Sequence, residues 1–434
     1  MTAKAHHFGG ETNLMSPERI DALIATYRDG LLGDTLPFWI NHAVDREFGG
    51  FLSCLDRDGT VIDTDKSVWI HGRFIWLLST AYKTVEQRPE WLALARHGID
   101  FLRRHAFDSD GRMFFHLTRD GRPLRKRRYI FAETFAVAGL AAYASATGDA
   151  EARDQAISIF ELITRYLTTP GLLPPKVNPE TRSMKGLAIP MIMIVTAQIL
   201  REVAPDLAFC PEVTGLCPKV TGLCDQWIDR SISEIEHLFM KPEFEAVLET
   251  VGPNGEFLDH FDGRMLCPGH AIEAAWFILQ EAQHRGAPGL PRPGQGDPRL
   301  VRLGTTILEW MWKRGWDEEY GGLLYYHDVK GLPVTEYWQD MKFWWPHNEA
   351  IIATLMAYQM TGDEKYAVWH RMVHDWAYAH FPDPEYGEWF GYLHRDGRIS
   401  TRLKGNLWKG PFHLPRMQLK CWQVLEQIKA GRRG

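Results

Sequence analysis

The chain has 434 residues, of which 45% are hydrophobic and 24% are charged, and its formal net charge is −6. This composition is typical of soluble globular proteins, and the negative balance argues against a nucleic-acid or anionic-membrane partner. No stretch has the length and apolarity of a membrane span or of a secretory signal. Six cysteines in so long a chain do not make a disulfide framework, so we expect a cytoplasmic protein.

Short segments that combine glycine with aromatic or apolar residues recur along the chain. They begin at Gly49, Gly111, Gly171, Gly255, Gly321 and Gly387. Most lead into a polar turn such as Asp56–Gly59, which is typical of a β-hairpin. The spacing predicts six units of roughly 60 to 70 residues, each consisting of a hairpin and helices.

Between the hairpins, apolar residues recur at helical spacing, as in Ile272, Ala275, Trp276 and Leu279. Two helices in each of six units predict an all-α fold, a closed (α/α)6 barrel with short β-hairpins at one end. An open solenoid is the alternative architecture. Loops gathered at one end of a barrel are the natural place for a pocket.

The whole chain, residues 1–434, is predicted to be a single domain with one irregularity. The interval before Gly255 is longer than the others, which predicts a surface insertion at 204–224. Within it the sequence VTGLC occurs twice, and its cysteines are spaced by seven residues. This spacing does not fit a zinc site, and we predict no metal.

Two histidines occur in similar surroundings, each directly after a proline-containing segment and at the start of a predicted helix. These are His270 in Pro268-Gly269-His270 and His413 in Pro411-Phe412-His413. The positive end of a helix lowers the pKa of an imidazole, which keeps it neutral and able to act as a base. Glu273 lies one helical turn after His270, where it could orient the ring or raise its pKa. Capping or core histidines would show the same pattern.

Three further segments carry candidate functional groups. Trp344–Glu349 places two indoles and a carboxylate at a helix start, although core packing would explain them equally well. Arg73, in His71-Gly72-Arg73, lies near another loop end, where most arginines form surface ion pairs. The run Arg125–Arg128 could hold an anion, although such runs usually form solvated surfaces. No dinucleotide-binding glycine motif, P-loop or HExxH motif is present.

Taken together, the long motifs resemble those of the N-acylglucosamine 2-epimerase family, whose animal members are also known as renin-binding proteins. The segments that carry the resemblance are His71–Arg73, Pro268–Trp276, Trp344–Ala350, Asp383–Tyr392 and Lys409–Arg416. The likeness runs from about Phe38 to Cys421 with the motifs in the same order. It implies an (α/α)6 barrel, in agreement with the repeat pattern.

The resemblance also implies roles for individual residues. His270 and His413 match the two acid/base residues, and Arg73 matches the arginine that holds sugar oxygens near C1. Five further residues match or adjoin positions that support the histidines or contact the substrate: Glu273, Trp345, Glu349, Trp408 and Arg416.

Two departures from related sugar enzymes favour the amino-sugar branch of the family. Cellobiose 2-epimerases and mannose isomerases carry a histidine on the inner helix after the third hairpin, whereas Ser183–Met193 contains none. Phe131 stands where cellobiose epimerases tend to have tyrosine.

We therefore expect an isomerase that interconverts N-acetylglucosamine and N-acetylmannosamine. One histidine would remove the C2 proton of the open-chain sugar and the other would return a proton on the opposite face, while Arg73 stabilises the enediolate. This chemistry requires no metal or redox cofactor. The resemblance implies a homodimer and allows ATP as an activator that is not consumed.

Other functions are compatible with the same barrel fold. An aldose–ketose isomerase or a cellobiose 2-epimerase would use the same histidines, whereas a glycoside hydrolase would use a carboxylate pair such as Glu273 and Glu349. A non-catalytic binding protein of the renin-binding type would need none of these residues.

Overall fold

The computed structural model describes residues 14–203, 220–286, 289 and 293–432. Helices dominate these ranges: α1 (Pro17–Asp29), α2 (Leu36–Ala43), α3 (Val68–Thr84), α4 (Pro89–His105), α5 (Phe131–Thr147), α6 (Ala150–Thr168), α7 (Ala188–Arg201), α8 (Val220–Glu234), α9 (Pro268–Arg285), α10 (Pro298–Gly315), α11 (Trp344–Thr361), α12 (Glu364–His380) and α13 (His413–Gly431). The strands are short: β1 (Cys54–Leu55), β2 (Val61–Asp63), β3 (Lys66–Ser67), β4 (Phe114–Leu117), β5 (Pro123–Lys126), β6 (Lys185–Gly186), β7 (Met240–Lys241), β8 (Ala246–Val247), β9 (Thr250–Val251), β10 (Met265–Leu266), β11 (His327–Asp328), β12 (Lys342–Phe343), β13 (Tyr392–Leu393) and β14 (Ile399–Thr401). Single π-helical turns follow α1 and α8.

Six helices form a closed inner ring, which confirms the predicted all-α, (α/α)6 barrel. In order around the ring they are α3, α5, α7, α9, α11 and α13, and α13 packs back against α3. Each inner helix packs against an outer one, in the order α4, α6, α8, α10, α12 and α1. The outer partner of α13 is α1, so the first and last long helices of the chain form one unit.

The inner helices are buried on all sides because they pack against ring neighbours and outer helices at once. Small residues allow the closest approach, between α3 and α5. A Cβ atom on Gly72 would collide with the backbone of α5, and one on Gly139 would collide with the backbone of α3. None of the described helices is long and apolar enough to cross a lipid bilayer.

The strands lie at the end of the barrel where the inner helices begin. β3, β6, β10 and β12 directly precede α3, α7, α9 and α11, and each pairs with a strand from another part of the chain. Local hairpins are β1–β2, β4–β5, β7–β8 and β13–β14, all antiparallel. Side chains at the starts of the inner helices therefore share one end with the hairpins.

The predicted hairpins at Gly171 and Gly255 are wrong. The segment after Gly171 runs into Pro174 and Pro175, which lack the backbone N–H that a strand ladder needs, and it contains no strand. Gly255 ends a tight turn that follows β9, and the next strand along the chain is β10. In the other four units, the glycine segments each close an isolated antiparallel bridge, such as Val44 with Phe51.

The predicted insertion at 204–224 is only partly tested, since 204–219 lie outside the described residues. The last part of it, 220–224, is not a surface insertion, because it forms the start of α8. Cys224 is fully buried there. The second VTGLC sequence is therefore part of the barrel.

A recurring clasp of three charges joins neighbouring units at the hairpin end. Each clasp contains a buried aspartate at the start of a glycine segment, a buried lysine that precedes an inner helix, and an arginine from the next hairpin. The clasps are Asp45–Lys66–Arg119, Asp317–Lys342–Arg395 and Asp383–Lys404–Arg57. Burial alone would raise the pKa of each aspartate, but hydrogen bonds from the two cations hold it well below its usual range. The third clasp joins the last unit to the first hairpin and so closes the ring.

We predict that Asp383→Asn lowers the free energy of unfolding by about 3 kcal/mol, because it leaves the buried Lys404 ammonium without its carboxylate. Urea unfolding followed by circular dichroism measures the change. The matched control is Asp396→Asn, which breaks an exposed pair with Arg398 and should change stability little. Equal midpoints for the two variants would show that the clasp does not close the ring.

Candidate active site

A cavity of about 1310 Å³ extends into the barrel from the hairpin end, inside the ring of inner helices. Aromatic rings, apolar side chains of α5 and α7, and a few charged groups line it. Seven of the eight predicted site residues are at its wall: Arg73, His270, Glu273, Trp345, Trp408, His413 and Arg416. The eighth, Glu349, lies directly behind His413. The fold therefore brings together residues that are spread over most of the sequence.

His413 is the first residue of α13 and is largely buried. Its Nδ1 lies 2.7 Å from Oε1 of Glu349 on α11, so Nδ1–H donates to the carboxylate and Nε2 is left with its lone pair. Burial lowers the pKa of His413 well below the ordinary value, and the positive charges of Arg416 and Arg73 lower it further. His413 is thus a neutral imidazole at neutral pH, as predicted, although burial and two arginines are the main causes.

Arg416, one turn further along α13, binds two carboxylates at once. Its Nη2 donates to Oε1 of Glu273 at 2.5 Å and to Oε1 of Glu349 at 2.6 Å. Glu349 also accepts a hydrogen bond from the indole of Trp276 at 2.7 Å. The suggestion that Glu273 orients His270 is therefore wrong, because its carboxylate turns to Arg416 on the facing helix.

The carboxylate partner of His270 is Glu249, a residue that the sequence analysis did not select. Nδ1 of His270 lies 3.0 Å from Oε1 of Glu249, which directly precedes β9. Burial alone would lower the pKa of His270, but Cys267 and the Glu249 carboxylate together raise it well above the ordinary value. The predicted lowering of this pKa is wrong, because Cys267 and the Glu249 carboxylate beside the ring outweigh both burial and the field of the helix terminus.

Trp345, the second residue of α11, contacts both histidines. The centre of its indole lies 5.0 Å from the ring of His270 and 5.7 Å from the ring of His413. The two imidazoles are therefore held against one rigid aromatic surface. The surroundings of His270 favour its protonated form, and those of His413 favour its neutral form.

Arg73 extends from α3 into the same cavity without a carboxylate partner among the described residues. Its guanidinium lies 4.1 Å from the ring centre of Phe135 and 4.8 Å from that of Phe412. Burial and the nearby Arg416 lower its pKa to about 9, and its Nε has no acceptor in the described part of the chain. Such a desolvated, incompletely bonded cation is suited to receive an oxygen that carries negative charge.

Trp408 lies at the mouth of the cavity with 43% of its surface exposed. It packs against Trp69 and Phe115, with ring centres 5.5 Å and 5.3 Å away. It can contact only the part of a ligand that reaches the rim.

Two other histidines in the quoted motifs have structural roles. His71 and His347 are fully buried, and in each the Nδ1 faces the carbonyl four residues earlier. In each, Nε2 accepts a backbone N–H, from Phe51 and Leu323 respectively. Burial lowers the pKa of both to about 3, so they stay neutral and fix the glycine segments onto α3 and α11.

Two sets of side chains have donor atoms close enough to hold a metal ion. They are Glu249, Cys267 and His270, and Glu273, Glu349 and His413. In the second set, Arg416 already provides the positive charge between the carboxylates. In the first, burial raises the pKa of the Cys267 thiol, which opposes the thiolate that a metal needs. Neither set requires an ion to balance its charges.

Comparison with known proteins identifies the family. The model of the N-acylglucosamine 2-epimerase family matches residues 49–413. The chain belongs to the N-acylglucosamine 2-epimerase family. It is 37% identical to the bovine N-acylglucosamine 2-epimerase, covering 92% of this chain and 90% of the relative, and 34% identical to the human one, covering 91% and 88%. A cellobiose 2-epimerase of Bacteroides fragilis is 26% identical, covering 90% and 95%.

Solved structures of epimerases share the fold. A cellobiose 2-epimerase from Bacillus thermoamylovorans superposes with a TM-score of 0.78 at 21% identity, covering 93% of this chain and 99% of the other. A D-mannose isomerase superposes with a TM-score of 0.72 at 18% identity, covering 96% and 100%. Membership of the N-acylglucosamine 2-epimerase family makes the protein a sugar 2-epimerase that acts on a small-molecule sugar.

We predict that Glu249→Gln lowers the pKa of His270, because the neutral amide no longer stabilises the imidazolium. NMR titration of the imidazole C–H signals measures this directly, with His270→Asn used to assign the signal. Glu234→Gln is the matched control, since Glu234 also lines the cavity but pairs with Lys185. An unchanged His270 titration in Glu249→Gln would mean that the contact with Glu249 does not set its protonation.

Proposed function

We propose that the protein interconverts N-acetylglucosamine and N-acetylmannosamine by removing and returning the proton at C2 of the open-chain sugar. The observation that supports the mechanism is the pair of imidazoles on Trp345 with opposite protonation preferences. Inverting a carbon through a planar intermediate needs a base on one face and an acid on the other. His413 and His270 supply one of each before any substrate binds.

In this proposal Nε2 of His413 takes the C2 proton from one epimer. Electrons of the C–H bond move into the C1–C2 bond, and negative charge develops on O1 of the aldehyde. Arg73 lies in the same cavity with a guanidinium nitrogen free to bond that oxygen. Protonated His270 then delivers a proton to the opposite face of C2, and the reverse reaction exchanges the two roles.

Two observations support an N-acylated sugar. The chain is more similar to the N-acylglucosamine 2-epimerases than to the cellobiose 2-epimerase reported above. In addition, α7 contributes Ile189 and Met193 to the cavity wall. The resemblance implies that cellobiose 2-epimerases and mannose isomerases carry a histidine on the corresponding helix. An apolar wall favours the methyl group of an acetamide over a further hydroxyl.

The remaining proposals concern the cellular location, the oligomeric state, an activator and cofactors. The four described cysteines are all free thiols, which supports a reducing, cytoplasmic location. A homodimer, and ATP as an activator that is not consumed, rest on the resemblance to the family. The charges of the site are balanced by its own side chains, so we propose that no metal takes part. We propose no redox cofactor because removing and returning a proton at C2 involves no net oxidation.

We predict that His413→Asn and His270→Asn each reduce epimerisation by about 100- to 10,000-fold, since each removes one acid/base group. In D2O, each variant should still exchange the C2 proton of one epimer, and the two variants should exchange different epimers. Proton NMR of N-acetylglucosamine and N-acetylmannosamine incubated separately with each variant measures both effects. The exposed His237→Asn is the control and should behave as the wild type.

Near-normal epimerisation by either active-site variant would remove that histidine from the mechanism. Exchange of both epimers by a single variant would contradict the assignment of one base to each face. Formation of a ketose by the wild type would instead indicate an aldose–ketose isomerase.

A further inference from the structure

The barrel cavity continues past the proposed catalytic groups, deeper between the inner helices. Its volume of about 1310 Å³ exceeds the roughly 300 to 1,000 Å³ that is usual for a small-molecule pocket. Because the inner helices begin at the hairpin end, side chains further along them line deeper parts of the cavity. Beyond Arg416, an inner chamber has a largely apolar wall of α5 and α7 side chains: Ala138, Ala142, Ile192, Thr196 and Ile199. The cavity therefore has room for more than a sugar with an acetyl group.

Lys420 lies on α13, one helical turn beyond Arg416, and lines the inner chamber. Its Nζ donates to Oε1 of Gln280 on α9 at 2.5 Å and lies 5.9 Å from the ring centre of Trp276. Nε2 of Gln280 donates in turn to Oε1 of Gln198 on α7 at 3.0 Å, which fixes the orientation of the amide. An ammonium has three N–H donors, so this amide satisfies only one of them.

Lys420 has no carboxylate within ion-pairing distance among the described residues, and this distinguishes it from other lysines of the interior. The buried lysines of the described chain each bind an aspartate or a glutamate: Lys66, Lys342, Lys404 and Lys409. Burial, together with the positive charge of Arg416, lowers the pKa of Lys420 to about 8. Glu202 and Cys421 act in the opposite direction but do not restore the ordinary value. A carboxylate of a ligand would supply the missing counter-charge.

The distance from the proposed reaction centre limits which part of a ligand can reach Lys420. Gln280 lies seven residues after Glu273 on α9, which places it about 10 Å deeper in the barrel. An acetyl group on the C2 nitrogen is too short to span this distance, whereas a four-carbon acyl chain that ends in a carboxylate covers most of it. The apolar wall would contact the methylene groups of such a chain.

We propose that the inner chamber is a subsite for an N-acyl group that is longer than acetyl and ends in a carboxylate, which Lys420 binds. This proposal rests on the proposed function, since it assumes that the nitrogen at C2 of an amino sugar lies beside the two histidines. It identifies N-acylhexosamines with an acidic acyl group, such as N-succinyl, as a further class of ligand.

The test compares two acyl chains of equal length, N-succinyl and N-butanoyl, each attached to glucosaminitol. The chains differ only at the end, where a carboxylate replaces a methyl group. Glucosaminitol is an open-chain sugar alcohol without the C1 aldehyde, so neither compound can be epimerised during the measurement. Isothermal titration calorimetry with the wild-type protein gives both dissociation constants.

We expect the N-succinyl compound to bind at least about tenfold more tightly than the N-butanoyl compound, because its carboxylate pairs with a partly desolvated ammonium. Lys420→Met should abolish this difference, and Lys420→Arg, which keeps the charge, should retain it. The matched control is Lys185→Met, which removes another lysine of the cavity wall that pairs with Glu234. This control should show the same difference as the wild type.

Equal binding of the two compounds to the wild type would overturn the proposal, as would a difference that persists in Lys420→Met. Failure of both compounds to bind would show that the inner chamber does not admit a longer chain. Free succinate that binds as tightly as the N-succinyl compound would also overturn it, because the sugar would then contribute nothing.

These titrations involve no turnover, so they are separate from the test of the proposed function. Epimerisation of N-acetylmannosamine without any preference for the N-succinyl compound would overturn the subsite alone. A preference that depends on Lys420 in a protein that epimerises no N-acyl sugar would overturn the proposed function and leave the acyl subsite standing.

Discussion

Arg416 places one buried positive charge at the centre of the barrel, and two carboxylates from neighbouring inner helices bind it. Glu273 belongs to α9, Glu349 to α11 and Arg416 to α13, so a single guanidinium fixes three of the six ring helices relative to one another. Burying these charges is costly unless all of them are paired, and this arrangement of the helices pairs them. The interaction therefore determines the geometry of the site as well as its charge.

This cluster acts on one of the two histidines, while the other depends on a separate carboxylate. Glu349 accepts from His413, and the positive charges nearby keep that imidazole neutral. His270 lies outside this cluster. Its Nδ1 contacts Glu249, and Cys267 and Glu249 together raise its pKa well above the ordinary value. Both imidazole rings contact Trp345, so a single indole lies between two histidines whose pKa values are shifted in opposite directions. In the proposed mechanism such a pair is prepared for one epimer, and after turnover the protein returns to that state by exchanging protons with solvent.

The sequence predicted the ring because glycine segments recur at six places along the chain and apolar residues between them recur at helical spacing. The positions of His270, His413, Trp345 and Arg73 followed from their places near the starts of those helices. Glu249 could not be predicted in this way. It lies directly before β9, and the pairing of β9 with β6 places it beside His270. The roles of His71 and His347 could not be predicted for a similar reason, because each imidazole accepts a backbone N–H that lies 20 or 24 residues earlier in the sequence.

The three charge clasps could not be predicted from local sequence patterns. Asp383 and Arg57 lie at opposite ends of the sequence and meet only because the barrel closes. The hairpins predicted at Gly171 and Gly255 are absent from the structure. Glycine and a polar turn favour a hairpin only where the flanking residues can pair with each other. Prolines after Gly171 prevent this, and the strand before Gly255 pairs elsewhere.

The most direct test of two bases on opposite faces is the fate of hydrogen at C2 in D2O. N-acetylmannosamine is incubated with the wild-type protein, and proton NMR and mass spectrometry are recorded while conversion is still low. The account predicts that the N-acetylglucosamine formed carries deuterium at C2, while the remaining N-acetylmannosamine keeps its protium. Protium retained at C2 of the product would show that one group removes and returns the same hydrogen, which contradicts the account.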